Sequence, residues 1–176
     1  SETNIKALEL LSTLPFRWNA DIITAVPSES LETTLSDIKR ITSYNPGHIS
    51  FYCLTFEEDT PLIKREKPVG EDKESEFLLR GWELLNSLGY SHYEVSNFAK
   101  EGEECLHNKV YWNLGQYIGL GPTAESALGW NEMTVMRNTE SLEEYFSTHA
   151  FNVSKLNKEE TEESYLLTTL RTNKGI

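Results

Sequence analysis

The alternation of β-branched runs with amphipathic helical patterns constrains this chain more than any other feature. A short β-branched run at 20–26 ends at a proline, which is typical of a buried strand. Apolar residues at helical spacing follow over 31–41, and a second strand pattern occupies 48–55. A long helical pattern at 71–88 precedes a third strand pattern at 92–98. Strands that alternate with helices in this way predict an α/β fold with a parallel sheet.

Parallel strands joined by helices build either an open sheet or a barrel, because right-handed crossovers serve both. In both architectures, ligands bind at the carboxyl ends of the strands. The segment that follows residue 98 comes directly after the last predicted strand, so we expect it near a ligand mouth. After residue 139 the composition changes to Glu-rich helical patterns at 141–146 and 157–170. These patterns predict a second, helical piece.

The composition excludes several classes of function. The chain of 176 residues has 28 acidic and 16 basic residues and a formal net charge of −12, so no nucleic acid partner is expected. It carries no long apolar run and no signal-peptide pattern, so we expect no transmembrane segment and a cytoplasmic location. The two cysteines lie far apart and do not form a disulfide framework.

A cluster of chemically versatile side chains follows the third predicted strand. His107 offers an imidazole that can bind a metal, and Asn108 offers a carboxamide. Tyr111 and Trp112 can form an aromatic wall. This combination suits a flat ligand that is conjugated or carries a metal. The alternative is structural, because histidines and aromatic residues also fill ordinary protein cores.

The order of these patterns resembles that of a known family. Residues 21–27 and 49–61 are similar to the later half of a radical S-adenosylmethionine barrel. The sequence Tyr-Glu-Val-Ser-Asn-Phe-Ala-Lys at 93–100 and the His-Asn-x-x-Tyr-Trp motif at 107–112 resemble the HemW-type haem chaperones. These chaperones are related to oxygen-independent coproporphyrinogen III oxidase. The resemblance continues through 119–126 and 165–171.

The resemblance implies a fold and a division of the chain. We expect the later half of a radical S-adenosylmethionine barrel, of partial TIM type with parallel strands, followed by the start of a helical C-terminal domain. The later βα units of the barrel would occupy 1–98. A post-barrel segment with the motif would occupy 99–139. The start of the truncated C-terminal domain would occupy 140–176. The family's cluster-binding half is expected upstream of this fragment.

Two residues are implied at a nucleoside site. Asp21 matches a strand aspartate that bonds the ribose hydroxyls of S-adenosylmethionine in the family. Cys53 matches a small residue whose backbone faces the adenine. The structural alternatives are a satisfied polar residue at the start of a strand for Asp21, and a small buried hydrophobe for Cys53.

The His-Asn-x-x-Tyr-Trp motif is associated with haem in the family. His107 is implied as the ligand of the haem iron, since neutral imidazole is a standard axial ligand. Asn108 is implied to hold the ring tautomer or to bond a propionate, and Tyr111 and Trp112 to pack on the macrocycle. The family usually carries a histidine where this chain has Glu125, which argues against a bis-histidine haem site.

Radical S-adenosylmethionine proteins hold a [4Fe–4S] cluster through three cysteines at C-x3-C-x2-C spacing. Neither Cys53 nor Cys105 has a second cysteine nearby. The cluster and S-adenosylmethionine are therefore expected only in the full-length protein. We assign no catalytic residue to this fragment and expect it to be inactive as an enzyme.

The sequence patterns and the resemblance leave three functions open. The first is a haem chaperone, with haem or a porphyrin as ligand and a haem-accepting protein as partner. The second is a radical S-adenosylmethionine enzyme of porphyrin and haem biosynthesis, of the coproporphyrinogen III oxidase type. The third is a binding module without catalytic chemistry. The motif at 107–112 favours the first.

Overall fold

A computed structural model describes residues 1–175 and divides the chain into two compact units, Ser1–Glu104 and a second that begins at Cys105. The first unit contains α1 (Glu2–Thr13), β1 (Asn19–Thr24), α2 (Leu31–Thr42), β2 (His48–Cys53), α3 (Pro61–Arg65), α4 (Glu71–Ser87), β3 (Ser91–Glu94) and β4 (Asn97–Ala99). The second contains α5 (Leu106–Trp112), β5 (Glu125–Leu128), β6 (Thr134–Asn138), α6 (Leu142–Ser147), β7 (Phe151–Lys155) and α7 (Lys158–Thr169). The predicted three-part division of the chain remains a prediction.

The four strands of the first unit form one sheet in the order β1-β2-β4-β3. Strands β1 and β2 run parallel, and α2 connects them. Strand β4 is antiparallel to both of its neighbours, β2 and β3. The predicted α/β class and the first βαβ unit are therefore confirmed.

The third predicted strand differs from the prediction. The range 92–98 was expected as one strand of a parallel sheet, but it folds as a hairpin in which Val95 and Ser96 form the turn between β3 and β4. Because β4 is antiparallel to both neighbours, β3 still runs in the same direction as β1 and β2. The hairpin thus inserts one antiparallel strand into an otherwise parallel set.

The core of the first unit lies between the sheet and the two helices α2 and α4. Its buried members are Ile22, Ile38, Ile49, Phe51, Leu85, Tyr90 and Phe98. The hydroxyls of Thr24 and Thr34 form a buried hydrogen bond of 2.8 Å that ties β1 to α2. On α4, a Cβ at Gly81 would lie 2.3 Å from the ring of Phe51, so only glycine permits this close approach. These contacts turn one face of the sheet toward the helices.

The second unit carries a three-stranded antiparallel sheet in the order β5-β6-β7. The helices predicted at 141–146 and 157–170 are present as α6 and α7. A capping box between Asn157 and Glu160 begins α7. Strand β7 was not predicted, although Phe151 and Val153 alternate with polar residues in it. Among the described helices, none is long and apolar enough to cross a membrane.

Candidate functional site

The short helix α5 presents the His-Asn-x-x-Tyr-Trp motif. Side chains four positions apart share one face of a helix. His107 and Tyr111 therefore form one pair, and Asn108 and Trp112 form a second pair on the adjacent face. The structure thus brings all four predicted residues of the motif together.

The imidazole of His107 is exposed and is held by Tyr111. The hydroxyl of Tyr111 lies 2.8 Å from Nε2 of His107, and the two rings meet edge to face at 4.8 Å between centroids. The ring of Tyr111 in turn meets that of Tyr117 at 4.6 Å. Burial raises the pKa of Tyr117, helped by the charge of Glu125. Binding of a metal through Nε2 would require the Tyr111 hydroxyl to leave this nitrogen.

Trp112 faces the last residues of the chain. The guanidinium of Arg171, two residues after the end of α7, lies 4.6 Å from the centre of the Trp112 ring. The indole Nε1 of Trp112 is buried and has no hydrogen-bond partner within residues 1–175. A buried donor without an acceptor is costly, so this side of α5 favours a ligand that supplies acceptor oxygens.

A groove of about 490 Å³ opens beyond the C-terminal end of α5. Its lining includes Asn113, Leu114, Trp130, Thr161 and Tyr165. His107 does not line it, because this residue lies at the other end of α5, roughly 9 Å along the helix axis. The sequence pattern gave no reason to select the groove. In the structure, Trp130 at the groove is 75% exposed.

Asp21 and Cys53 belong to the first unit, whereas the motif belongs to the second. Asp21 is exposed in the middle of β1, opposite Ser50, and Cys53 ends β2 opposite Thr24. Burial, together with the negative charges of Glu74 and Glu29, raises the pKa of Cys53 to about 11. The thiol is therefore neutral near pH 7 and behaves as a small apolar group.

A chain of hydrogen bonds orients Asp21. The hydroxyl of Tyr93 lies 2.7 Å from Nε2 of His48, and Nδ1 of His48 lies 2.6 Å from Oδ1 of Asn19. The amide of Asn19 donates to Asp21 at 2.5 Å. Burial lowers the pKa of His48, and the charge of Asp21 opposes that shift. A neutral ring fits this arrangement, with Nδ1 donating to Asn19 and Nε2 accepting from Tyr93.

None of these supporting residues was selected from the sequence. The signal that could have found them is the alternation of polar residues along two strands, Asn19 with Asp21 and His48 with Ser50. In the parallel register Asn19 lies opposite His48 and Asp21 opposite Ser50, so the four side chains share one face. The register itself could not be read from the sequence.

The residues present do not fit a [4Fe–4S] cluster. Such a cluster takes three or four thiolates, and the chain has only Cys53 and Cys105, which belong to different units. Within residues 1–175, no group of three or more His, Cys, Asp or Glu side chains is arranged to hold a metal ion. The exposed imidazole of His107 does fit one axial position of a haem, since a single nitrogen is sufficient there.

Comparisons with known proteins identify relatives along most of the chain. No family model matches. The haem chaperone HemW of Buchnera aphidicola (Schizaphis graminum) is 38% identical over 125 residues, which cover 70% of this chain and 33% of that protein. The Escherichia coli HemW is 36% identical over 139 residues, which cover 77% of this chain and 36% of that protein. The chain therefore spans about a third of the length of these relatives.

Two further comparisons bear on the fold. The mouse mitochondrial protein called radical S-adenosyl methionine domain-containing protein 1 is 34% identical over 115 residues. The solved structure of coproporphyrinogen III oxidase from Escherichia coli, described as a radical SAM enzyme, matches with a TM-score of 0.75. The match covers 98% of this chain and 44% of that chain at 17% identity, so it shows a shared fold alone.

Proposed function

We propose that this chain, which is related to the HemW-type haem chaperones of the radical S-adenosylmethionine family, binds haem through His107. The observation that carries the proposal is the exposed imidazole on α5, grouped with Asn108, Tyr111 and Trp112 in one motif. A surface histidine of this kind can exchange a hydroxyl partner for iron without unfolding a core. The proposal includes transfer of the haem to an accepting protein and a cytoplasmic location.

The surroundings of α5 support a ligand that carries carboxylates. Arg171 lies over Trp112, and the buried indole nitrogen of Trp112 lacks an acceptor within residues 1–175. Haem propionates supply such acceptors, and a guanidinium binds carboxylates with two parallel hydrogen bonds. Asn108 would bond a propionate or hold the imidazole tautomer. Bound haem would supply an iron centre. The protein would supply the axial nitrogen of His107 and the groups that hold the propionate edge of the haem.

The first unit supports the nucleoside part of the proposal. The carboxylate of Asp21, oriented by Asn19, is an acceptor suited to the two hydroxyls of a ribose. The neutral thiol of Cys53 suits a position beside an adenine. The [4Fe–4S] cluster belongs to the proposal only for a longer protein with a triple-cysteine motif, because this chain lacks the thiolates.

The oxidase function is the second candidate. The fold shared with coproporphyrinogen III oxidase favours it, but at 17% identity that likeness extends no further than the fold. Conversion of coproporphyrinogen by a longer protein that contains this chain would make the oxidase the better description. A chain that binds neither haem nor a porphyrin would leave a binding module of another kind.

A haemin titration followed at the Soret band tests the haem proposal. Loss of residues that merely support a metal ligand weakens metal affinity roughly 10–100-fold, so His107→Ala is expected to cost at least as much. The matched control is His149→Ala, which removes an exposed histidine of the same unit whose Nδ1 contacts the Tyr145 carbonyl. A Soret shift of unchanged affinity in His107→Ala would remove this residue as the ligand.

A further inference from the structure

A row of four polar side chains crosses the sheet of the first unit. The strand register places Asp21 opposite Ser50, Ser50 opposite Asn97, and Asn97 opposite Glu94. Paired residues on neighbouring strands point to the same face. The strand neighbours of Asp21, Ser50 and Asn97 join the core under α2 and α4, so these three side chains lie on the other face. Glu94 follows a register irregularity in β3 and is placed in the row by its pairing with Asn97. We call these four residues the polar row.

The polar row is open at one end and buried at the other. Asp21 on β1 is exposed, whereas Asn97 is 7% exposed and Glu94 on β3 is 2% exposed. Neighbouring strands lie about 4.8 Å apart, so the row is roughly 14 Å long. A carboxylate thus stands at each end, one in solvent and one in the interior of the unit.

The buried end of the polar row contains three acceptor atoms without donors. Both carboxyl oxygens of Glu94 and Oδ1 of Asn97 have no hydrogen-bond partner in the described part of the chain. Burial of a carboxylate without donors is strongly unfavourable, so such groups are normally paired. Other polar side chains on this face do have hydrogen-bond partners, since His48 bonds to Asn19 and Asn19 donates to Asp21. Glu94 and Asn97 are therefore the exception that calls for a partner.

We propose that Glu94 and Asn97 form a binding site for a guanidinium or amidinium group. A planar fork of two N–H donors matches both oxygens of one carboxylate, and a further N–H can reach the adjacent Asn97 oxygen. An ammonium group lacks this fixed two-pronged spacing. The site is independent of the proposed haem function, because the polar row lies in the first unit and His107 lies in the second.

Agmatine, which carries a guanidinium and no carboxylate, is the probe that tests the site by calorimetry. We expect saturable binding to the unsubstituted chain, and a loss of roughly tenfold or more in affinity for Glu94→Gln, because a charge-assisted pair becomes a neutral one. The matched control is Glu76→Gln, which makes the same charge change at an exposed position on α4 and should leave the affinity unchanged. Butylurea, an uncharged planar analogue, should not bind.

Two further measurements keep the proposal open to refutation. The ¹³C resonance of the Glu94 carboxyl carbon should move on addition of agmatine to the unsubstituted chain, whether or not the variant folds. Without agmatine, Glu94→Gln should raise Tm, because it removes an unpaired buried charge. Absence of saturable binding, or agmatine affinity unaffected by Glu94→Gln, would overturn the proposal and leave Glu94 with a structural role alone.

The source of the cationic group is resolved by a second probe. A blocked tripeptide with a central arginine carries the same guanidinium on a protein backbone. Tighter binding of the tripeptide than of agmatine would assign the site to an arginine of a polypeptide. Tighter binding of agmatine would assign it to a free small ligand.

Discussion

His48 and His107 show how the surroundings of a residue decide what it does. His48 is buried, and both of its ring nitrogens are engaged, one by Asn19 and the other by Tyr93. His107 is exposed, and its Nε2 meets the hydroxyl of Tyr111. A histidine of the first kind maintains a network of fixed hydrogen bonds. One of the second kind is available to exchange its partner for a ligand.

The lowered pKa of His48 predicts a loss of stability in mild acid. Burial holds the pKa of this imidazole below the ordinary value of 6.5. As the pH falls below about 7, His48 is protonated in the unfolded chain but stays neutral in the folded chain. The free energy of unfolding therefore decreases until the pH has fallen below the pKa of His48 in the folded chain. Urea unfolding at a series of pH values between about 7.5 and 5 measures this slope.

The variant His48→Gln should lower stability at every pH but flatten that slope, because it removes the titrating group. His149→Gln, which removes an exposed histidine, should keep the slope of the unsubstituted chain. An equal slope for His48→Gln and the unsubstituted chain would contradict the assignment.

At the scale of elements, α5 and the β3–β4 hairpin mark what the sequence could predict. The motif at 107–112 was grouped because its four side chains lie within six positions, whereas the helix that pairs positions i and i+4 was not predicted. The contact of Arg171 with Trp112 was not predictable, since it depends on how α7 packs on α5. The hairpin was read as one strand, because period-two alternation is the same in one strand as in two joined by a two-residue turn.

Packing of α4 on the sheet depends on Gly81. An added Cβ would lie 2.3 Å from the Phe51 ring, so Gly81→Ala must displace the ring or the helix. Overpacking of this kind costs about 1–3 kcal/mol, which outweighs the roughly 1 kcal/mol that alanine gains in helix propensity. Urea unfolding should therefore show a net destabilisation.

The comparison variant for this element is Gly70→Ala at the N-cap of α4, where an added Cβ meets no atom within 4 Å. It should lower stability by less than about 1 kcal/mol, because alanine is a poorer N-cap than glycine but the added Cβ overpacks no neighbour. Equal effects of the two substitutions would refute the close approach of α4 and Phe51.

At the scale of the whole molecule, the α/β class followed from local patterns because each strand and helix carries its own hydrophobic period. The polar row and the network around His48 did not follow, because they depend on strand order and register. Strand β4, inserted between β2 and β3, brings Asn97 beside both Ser50 and Glu94. Ser50 and Asn97, which are 47 positions apart along the chain (97 − 50), thus meet through a topology that no local pattern encodes.

The cysteine content predicts the outcome of cluster reconstitution. The chain has two cysteines, and the pKa of Cys53 is raised to about 11, so thiolates for a cubane cluster are lacking. Anaerobic treatment with iron and sulfide should leave far less than one four-iron cluster per chain, as measured by iron and sulfide content. Near-stoichiometric incorporation would show that other ligands complete the cluster.

The proposed function depends on a bond between the haem iron and the imidazole of His107. Resonance Raman spectroscopy of the ferrous haem complex detects the iron–histidine stretch directly, and labelling of histidine with ¹⁵N shifts it. We expect an isotope-sensitive band that is present in the unsubstituted chain and in His149→Ala and is lost in His107→Ala. A band that persists in His107→Ala, or a complex without any such band, would contradict it.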